Sequence, residues 1–440
     1  MNERRAIPRP GGAGQASVTP PSGPDRHWRV RHLLLAPHRL GFFLAMVVLA
    51  SAGGWWALVQ FSRMNALLVL PYAVSPSLVH AAVMTFGFIP LFFSGFLFTA
   101  GPKWLGVQAL EAHQLQVPLL LQATGWLVWV AGGHLAAPLA VAGVLMAWAG
   151  LSWVTWRFWR LIRLSEAEDR LHALTIGMAC LVGCLSLAGL VGGLLWDAPA
   201  VARASVLTGL WGFVVVVYVS VAHRMIPFFT SSALPFITAW RPFWVLWLML
   251  GAAAMEVLAV WVELGGPLQG SAANVWALVR GIFELAAGMV LLWLAWTWGL
   301  VQSLRNRLLA MLHIGFVWLG LAFTLGGAAQ WLGLWRGAPV LALGSLHALT
   351  MGCLASLMLA MVTRVSCGHS GRALVADGIA WSLFWLLQGA VVLRIAAAAL
   401  PSYAGALLLL TALLWGGLMT TWAVRLGGWY GRLRADGRPG

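Results

Sequence analysis

From Leu40 onward the chain alternates long apolar runs with short polar breaks. The runs fall at 40–60, 78–100, 115–133, 137–159, 172–195, 204–223, 242–262, 276–300, 309–333, 339–362, 374–396 and 403–424. Each approaches the length of about 20 residues that carries an α-helix across a bilayer. A chain that must satisfy its own backbone polar groups in hydrocarbon does so as helices or as a closed barrel, and unbroken apolar runs of this length select helices. The pattern therefore predicts an all-α, polytopic transmembrane helical bundle of about twelve spans. Residues 1–39 are polar and rich in Pro, Gly and Arg, which predicts a disordered basic tail. The run from Leu40 is too long for a signal-peptide core and lacks a clear cleavage site, so it is read as the first span. The chain divides into a tail (1–39), a transmembrane helical domain (40–424) and a second basic tail (425–440).

Composition sharpens this picture. Of 440 residues 61% are hydrophobic and 9% charged, against roughly 25% charged in a soluble domain. The 28 Trp suit headgroup-level rings and the 50 Gly suit close helix contacts in lipid. The net charge of +15 would suit a polyanionic partner if it formed one patch. It does not. Arg and Lys recur at Arg29, Arg31, Arg39, Lys103, Arg157, Arg160, Arg163, Arg170, Arg224, Arg305, Arg307, Arg364, Arg372, Arg425 and Arg432, in alternate connections and both tails. The positive-inside rule accounts for this distribution with both termini cytoplasmic and no nucleic acid as partner. Four dispersed Cys form no disulfide framework.

The candidate chemistry is histidine. "RLHALTIG" (170–177) and "SLHALTMG" (345–352) are nearly the same phrase, and "LVHAAVMTFG" (78–87) is related. His172 opens the fifth run, His347 falls about two turns into the tenth, and His80 lies at the mouth of the second. His223 ends the sixth run and His313 begins the ninth. Polar residues at hydrocarbon depth mark functional positions by default. Two readings stand for each ring: an interhelical hydrogen bond, or ligation of haem iron or copper. Met84 and Met351 follow His80 and His347 by four residues, which puts thioether and imidazole on one helical face. That pairing suits copper, while Met as core filler is the competing reading. Acidic residues are sparse inside the runs: Glu256, Glu263 and Glu284, with Arg280 four residues before Glu284. No two histidines are adjacent in sequence, unlike the pattern of a haem–copper oxidase.

After the tenth run, "TRVSCGHSGR" (363–372) gathers Arg364, Cys367, His369 and Arg372. The two Arg suit a carboxylate or propionate group, or an ordinary positive-inside turn. "HRMIPFFTSSALPF" (223–236), with two prolines, reads as a re-entrant segment or a buried loop.

"MVTRVSCGHSGR", "AHRMIPFFTSSAL" and "VHAAVMTFGFIPLFFSGFLFTAGPKWLG" together resemble the NnrS family, over nearly the whole chain from Leu40. The family pattern commonly reads Leu-Gly-His-Thr-Gly-Arg where this chain has Cys367-Gly368-His369-Ser370-Gly371-Arg372. The resemblance implies a haem- and copper-containing protein of the bacterial cytoplasmic (inner) membrane, tied to nitric oxide and nitrosative stress. It implies nitric oxide as small-molecule ligand beside the membrane lipid. His80, His223, His347 and His369 fall inside matching segments, with His172 and His313 next. The expected function is protection against nitric oxide, with metals held by buried histidines. The alternative is a twelve-span transporter using the same histidines as transient sites, which broken spans rich in Gly and Pro would support.

Overall fold

The computed structural model describes residues 27–266, 268–341 and 343–436. Among these there is no strand, and twelve helices are long and apolar enough to span a membrane. They are α1 (Pro37–Met64), α2 (Pro76–Leu105), α3 (Ala112–Leu135), α4 (Ala137–Leu164), α5 (Leu171–Leu195) and α6 (Pro199–Ala233). The second half comprises α7 (Phe243–Leu264), α8 (Gly270–Thr297), α9 (Arg307–Arg336), α10 (Gly344–His369), α11 (Gly378–Ala399) and α12 (Pro401–Tyr430). Every predicted run corresponds to one helix.

Residues 1–26 of the tail and 437–440 at the other end lie outside the described residues. The described part of the first tail is packed. Val30–Leu35 forms a 3-10 turn with Leu33 buried, and the Arg29 amide donates to Gly431 O at 2.8 Å. Arg39, buried at the start of α1, donates to Arg432 O at 2.7 Å. Both described ends therefore meet at one face of the bundle, here called the basic face, as an even number of spans requires.

Packing is mostly between chain neighbours, with α1 lying along α12 to close the bundle. The tightest neighbours, α3 and α4, meet through glycine. A Cβ on Gly143 would stand 2.6 Å from Trp129 N, and one on Gly125 2.6 Å from Gly143 O. Small residues let helix backbones approach where lipid provides no hydrophobic drive. The most buried helices are α2, α6, α9 and α10.

Three of these central helices depart from regular α geometry. In α2 the helix breaks at Gly87–Phe88, just before Pro90. Proline has no N–H to give and its ring crowds the preceding turn. Two wide π turns occur, Leu210–Val215 in α6 and Ala348–Ala355 in α10. The expected irregular segment, 223–236, is different: α6 runs through Pro227 to Ala233 as helix, neither re-entrant nor a loop. The broken span is α2.

Candidate functional site

Among the described residues, no three His, Cys, Asp or Glu side chains converge as a metal cage. The histidines come in pairs instead.

One pair lies at the face opposite the basic one. His80 opens the second turn of α2, whose Pro76 starts the helix. Its ring stacks on Trp56 of α1, with centroids 3.8 Å apart. His347 is in the first turn of α10, not two turns in, because that helix starts at Gly344. His347 Nδ1 lies 2.8 Å from Leu343 O, so this nitrogen carries the proton and Nε2 the lone pair. Nδ1 of His80 is buried without a partner. His347, Arg394 and Arg63 are the groups within electrostatic reach of His80, and Arg63 also lies over the Trp56 ring. Met84 and Met351 both pack into the apolar core.

The second pair, His172 on α5 and His223 on α6, is near the basic face. Their rings lie 5.2 Å apart and nearly parallel. His223 Nε2 is 3.1 Å from Pro242 O, an acceptor, so that nitrogen holds the proton. His223 Nδ1 is then an acceptor, and His172 Nε2–H donates to it at 3.0 Å. By elimination His172 Nδ1 carries a bare lone pair, buried with no partner.

His313 repeats the logic with a hydroxyl. Thr230 donates its proton to Ile226 O at 2.9 Å and accepts from His313 Nε2–H at 2.9 Å. His313 Nδ1 is left as a second buried, unpartnered lone pair. A cavity of about 70 Å³ lies between α1, α2, α6, α9 and α10. It is lined by Phe92, Tyr218, Ala222, Leu312 and Met358, so it adjoins the chain neighbours of His223 and His313.

A third pair includes a residue that sequence reading missed. His38, 3% exposed in the first turn of α1, faces His369 at 4.4 Å between ring centroids. Nothing in the sequence singled out His38, which falls in the stretch assigned to the tail. Arg364 stacks on Phe229 at 4.0 Å and Arg372 on Trp429 at 4.3 Å. Arg372 and Trp429 line a cavity of about 260 Å³ with Cys367, Asp377 and Arg425. Partial burial pulls Arg372 below the usual arginine value.

The chain matches the NnrS family (NnrS protein) over residues 32–434, nearly its whole length. It belongs to that family. The membership fits the twelve-helix membrane architecture and makes the NnrS chain a membrane protein of the nitric oxide response. No curated protein matches it.

The residues present fit a metal group at one elementary test. Buried polar atoms are nearly always hydrogen-bonded, yet His80, His172 and His313 each keep a buried ring nitrogen free. In His172 and His313 the other nitrogen is held by a hydrogen bond that fixes the tautomer, as is usual for ligating imidazoles.

Proposed function

We propose that this NnrS protein binds haem and copper in the bacterial inner membrane and protects the cell against nitric oxide. The basic face is cytoplasmic in this reading, following the charge asymmetry. The observation that carries the proposal is the set of buried imidazole nitrogens with no hydrogen-bond partner. Such a group costs roughly 1–3 kcal/mol when left unsatisfied, and a metal bond would repay it.

Two positions divide the work. His80 and His347, with Met84 and Met351 following each, form the copper position, since imidazole with thioether is a soft donor set. His172 and His313 near the basic face are the haem-side ligands. His223 and Thr230 hold their tautomers, and His369, Arg364 and Arg372 offer polar and cationic groups to haem carboxylates. Bound haem iron would supply a coordination position for nitric oxide. The chain's own contribution is to orient the imidazoles, to exclude water with an apolar surround, and to admit a small uncharged ligand from lipid. The apolar cavity beside the His223 and His313 segments suits that passage.

The test is optical and metal analysis of the detergent-purified protein, with His80→Ala, His347→Ala, His172→Ala and His313→Ala alongside. The expected result is a Soret band that shifts with nitric oxide and is lost from the basic-face variants. Copper should be lost from the His80 and His347 variants. A colourless, metal-free wild type would overturn the reading and favour the transporter.

A further inference from the structure

One polar cluster in the membrane plays no part in the proposed metal chemistry. Arg280 on α8 reaches three carboxylates. It bonds Glu284 one turn along its own helix at 2.9 Å, Glu256 on α7 at 2.8 Å, and Glu263 on α7. Glu263 is more than half exposed, so water serves its charge. Glu256 and Glu284 are 4% and 3% exposed. Two buried carboxylates against one guanidinium leave one negative charge uncompensated, at a depth where an unpaired charge costs several kcal/mol.

The hydrogen bonds expose the same deficit. Each buried carboxylate spends one oxygen on Arg280. The other oxygens, Glu256 Oε1 and Glu284 Oε2, are buried with no partner. Both carboxylates are gathered on the one Arg280 guanidinium, Glu284 at its Nε and Glu256 at a terminal nitrogen. Two ionised carboxylates gathered on one guanidinium repel, whereas one bound proton turns a bare oxygen into a donor and cancels the surplus charge.

We propose that the buried carboxylate pair on Arg280, Glu256 with Glu284, is a proton-binding site that holds one proton at neutral pH. The step is Glu–COOH to Glu–COO⁻ plus a proton, which leaves toward the opposite face past the exposed Glu263. A metal cation is the alternative occupant, and the surroundings disfavour it. Gly326 of α9 packs so closely on Glu284 that a Cβ there would stand 2.9 Å from Oε2, which leaves no room for a hydrated ion on that side. Arg280 already supplies the positive charge. Among the described residues the other charged groups on the packed helices lie at their ends or outside, Arg336 at the end of α9 being exposed. Between its two ends α9 has only His313 as a titratable residue, toward the basic face, and Arg203 of α6, the helix behind α7, is exposed. The site is independent of the histidines, so it stands or falls apart from the metal reading.

Infrared spectroscopy of the full-length protein in detergent tests this. At neutral pH exposed carboxyls are ionised, so a protonated carboxylic acid gives a separate carbonyl stretch. The expected result is one such band in the wild type. It should vanish in Glu256→Gln and equally in Glu284→Gln, because either change leaves one carboxylate balanced by Arg280. Glu263→Gln should keep it. Gln has the shape of the protonated acid, so both variants should fold; if either does not, the wild-type spectrum still decides. A wild type with no protonated acid at neutral pH overturns the proposal. So does a band that survives in both buried variants, or one abolished by sodium or potassium chloride, which would make the site a cation site.

Discussion

His172 Nε2–H donates to His223 Nδ1 across 3.0 Å, and His223 Nε2–H donates in turn to Pro242 O across 3.1 Å. The relay fixes both tautomers from a single backbone carbonyl and leaves the His172 Nδ1 lone pair buried and unused. His172→Ala should therefore abolish metal at this position. His223→Ala should weaken it about 10–100-fold, the usual effect of losing the group that orients a ligating imidazole. Metal content of the purified variants is the measurement. Full occupancy in His172→Ala would mean that the pair is structural.

Asp377 holds the start of α11 from just outside the membrane. It accepts from the Ala380 amide at 3.0 Å and forms a two-point ion pair with Arg425. The hydrogen bonds from Arg425 hold its carboxyl below the usual aspartate value. A carboxyl depressed in the folded state stabilises it above the unfolded value, near 3.9. That contribution is lost as pH falls through the folded value. Asp377→Asn should lower the melting temperature at neutral pH, and the gap to wild type should close in acid. The carboxyl is nearly half exposed, so the gap will be modest. A gap that widens in acid would contradict the sign.

Asn306 caps α9, accepting from the Leu308 and Leu309 amides at 3.1 and 3.4 Å. Asn306→Ala should cost about 1 kcal/mol, read as a shift in a denaturation midpoint, whereas Asn306→Asp should retain most of that stability. No loss in Asn306→Ala would show that the cap contributes nothing.

The spans were legible because each depends on one local quantity, a sustained apolar run, and that quantity decides membrane insertion. Their ends were less so. Helix α6 reaches Ala233 and α12 reaches Tyr430, because a helix started in lipid continues into the interface while its backbone bonds remain satisfied. The Arg280–Glu284 pair was readable from its four-residue spacing, but Glu256, 24 positions earlier, joins it only through the packing of α7 near α8. His172 was conspicuous beside an apolar run, and its partner His223 lay 51 positions away with no local sign of contact. His38 was hidden because its stretch reads as polar tail, although tertiary packing buries it. The π turns in α6 and α10 have no periodic signature to read. Tautomers are set by single carbonyls and hydroxyls that only a fold brings near.

A last prediction concerns a polar bridge in the membrane core that the sequence did not single out. Gln388 on α11 accepts from Trp318 Nε1 of α9 at 2.7 Å and donates to Ser356 Oγ of α10 at 3.0 Å. One side chain thus joins three helices, and it is 7% exposed. Interhelical hydrogen bonds in bilayers average only about 0.6 kcal/mol, because an unfolded chain in the membrane also finds partners. Leaving the half-buried Trp318 N–H without an acceptor adds roughly 1 kcal/mol or more. Gln388→Leu should therefore cost more than the two bonds alone, about 2 kcal/mol, seen as a lower denaturation midpoint in detergent. Ser356→Ala should cost less, since it leaves Gln388 its Phe384 carbonyl partner at 3.3 Å. Because both substitutions remove the same Gln388–Ser356 bond, the double variant should lose less than the sum of the two. Strict additivity would mean that this bond contributes nothing, and would leave the Trp318 contact as the only reason for a glutamine at this depth.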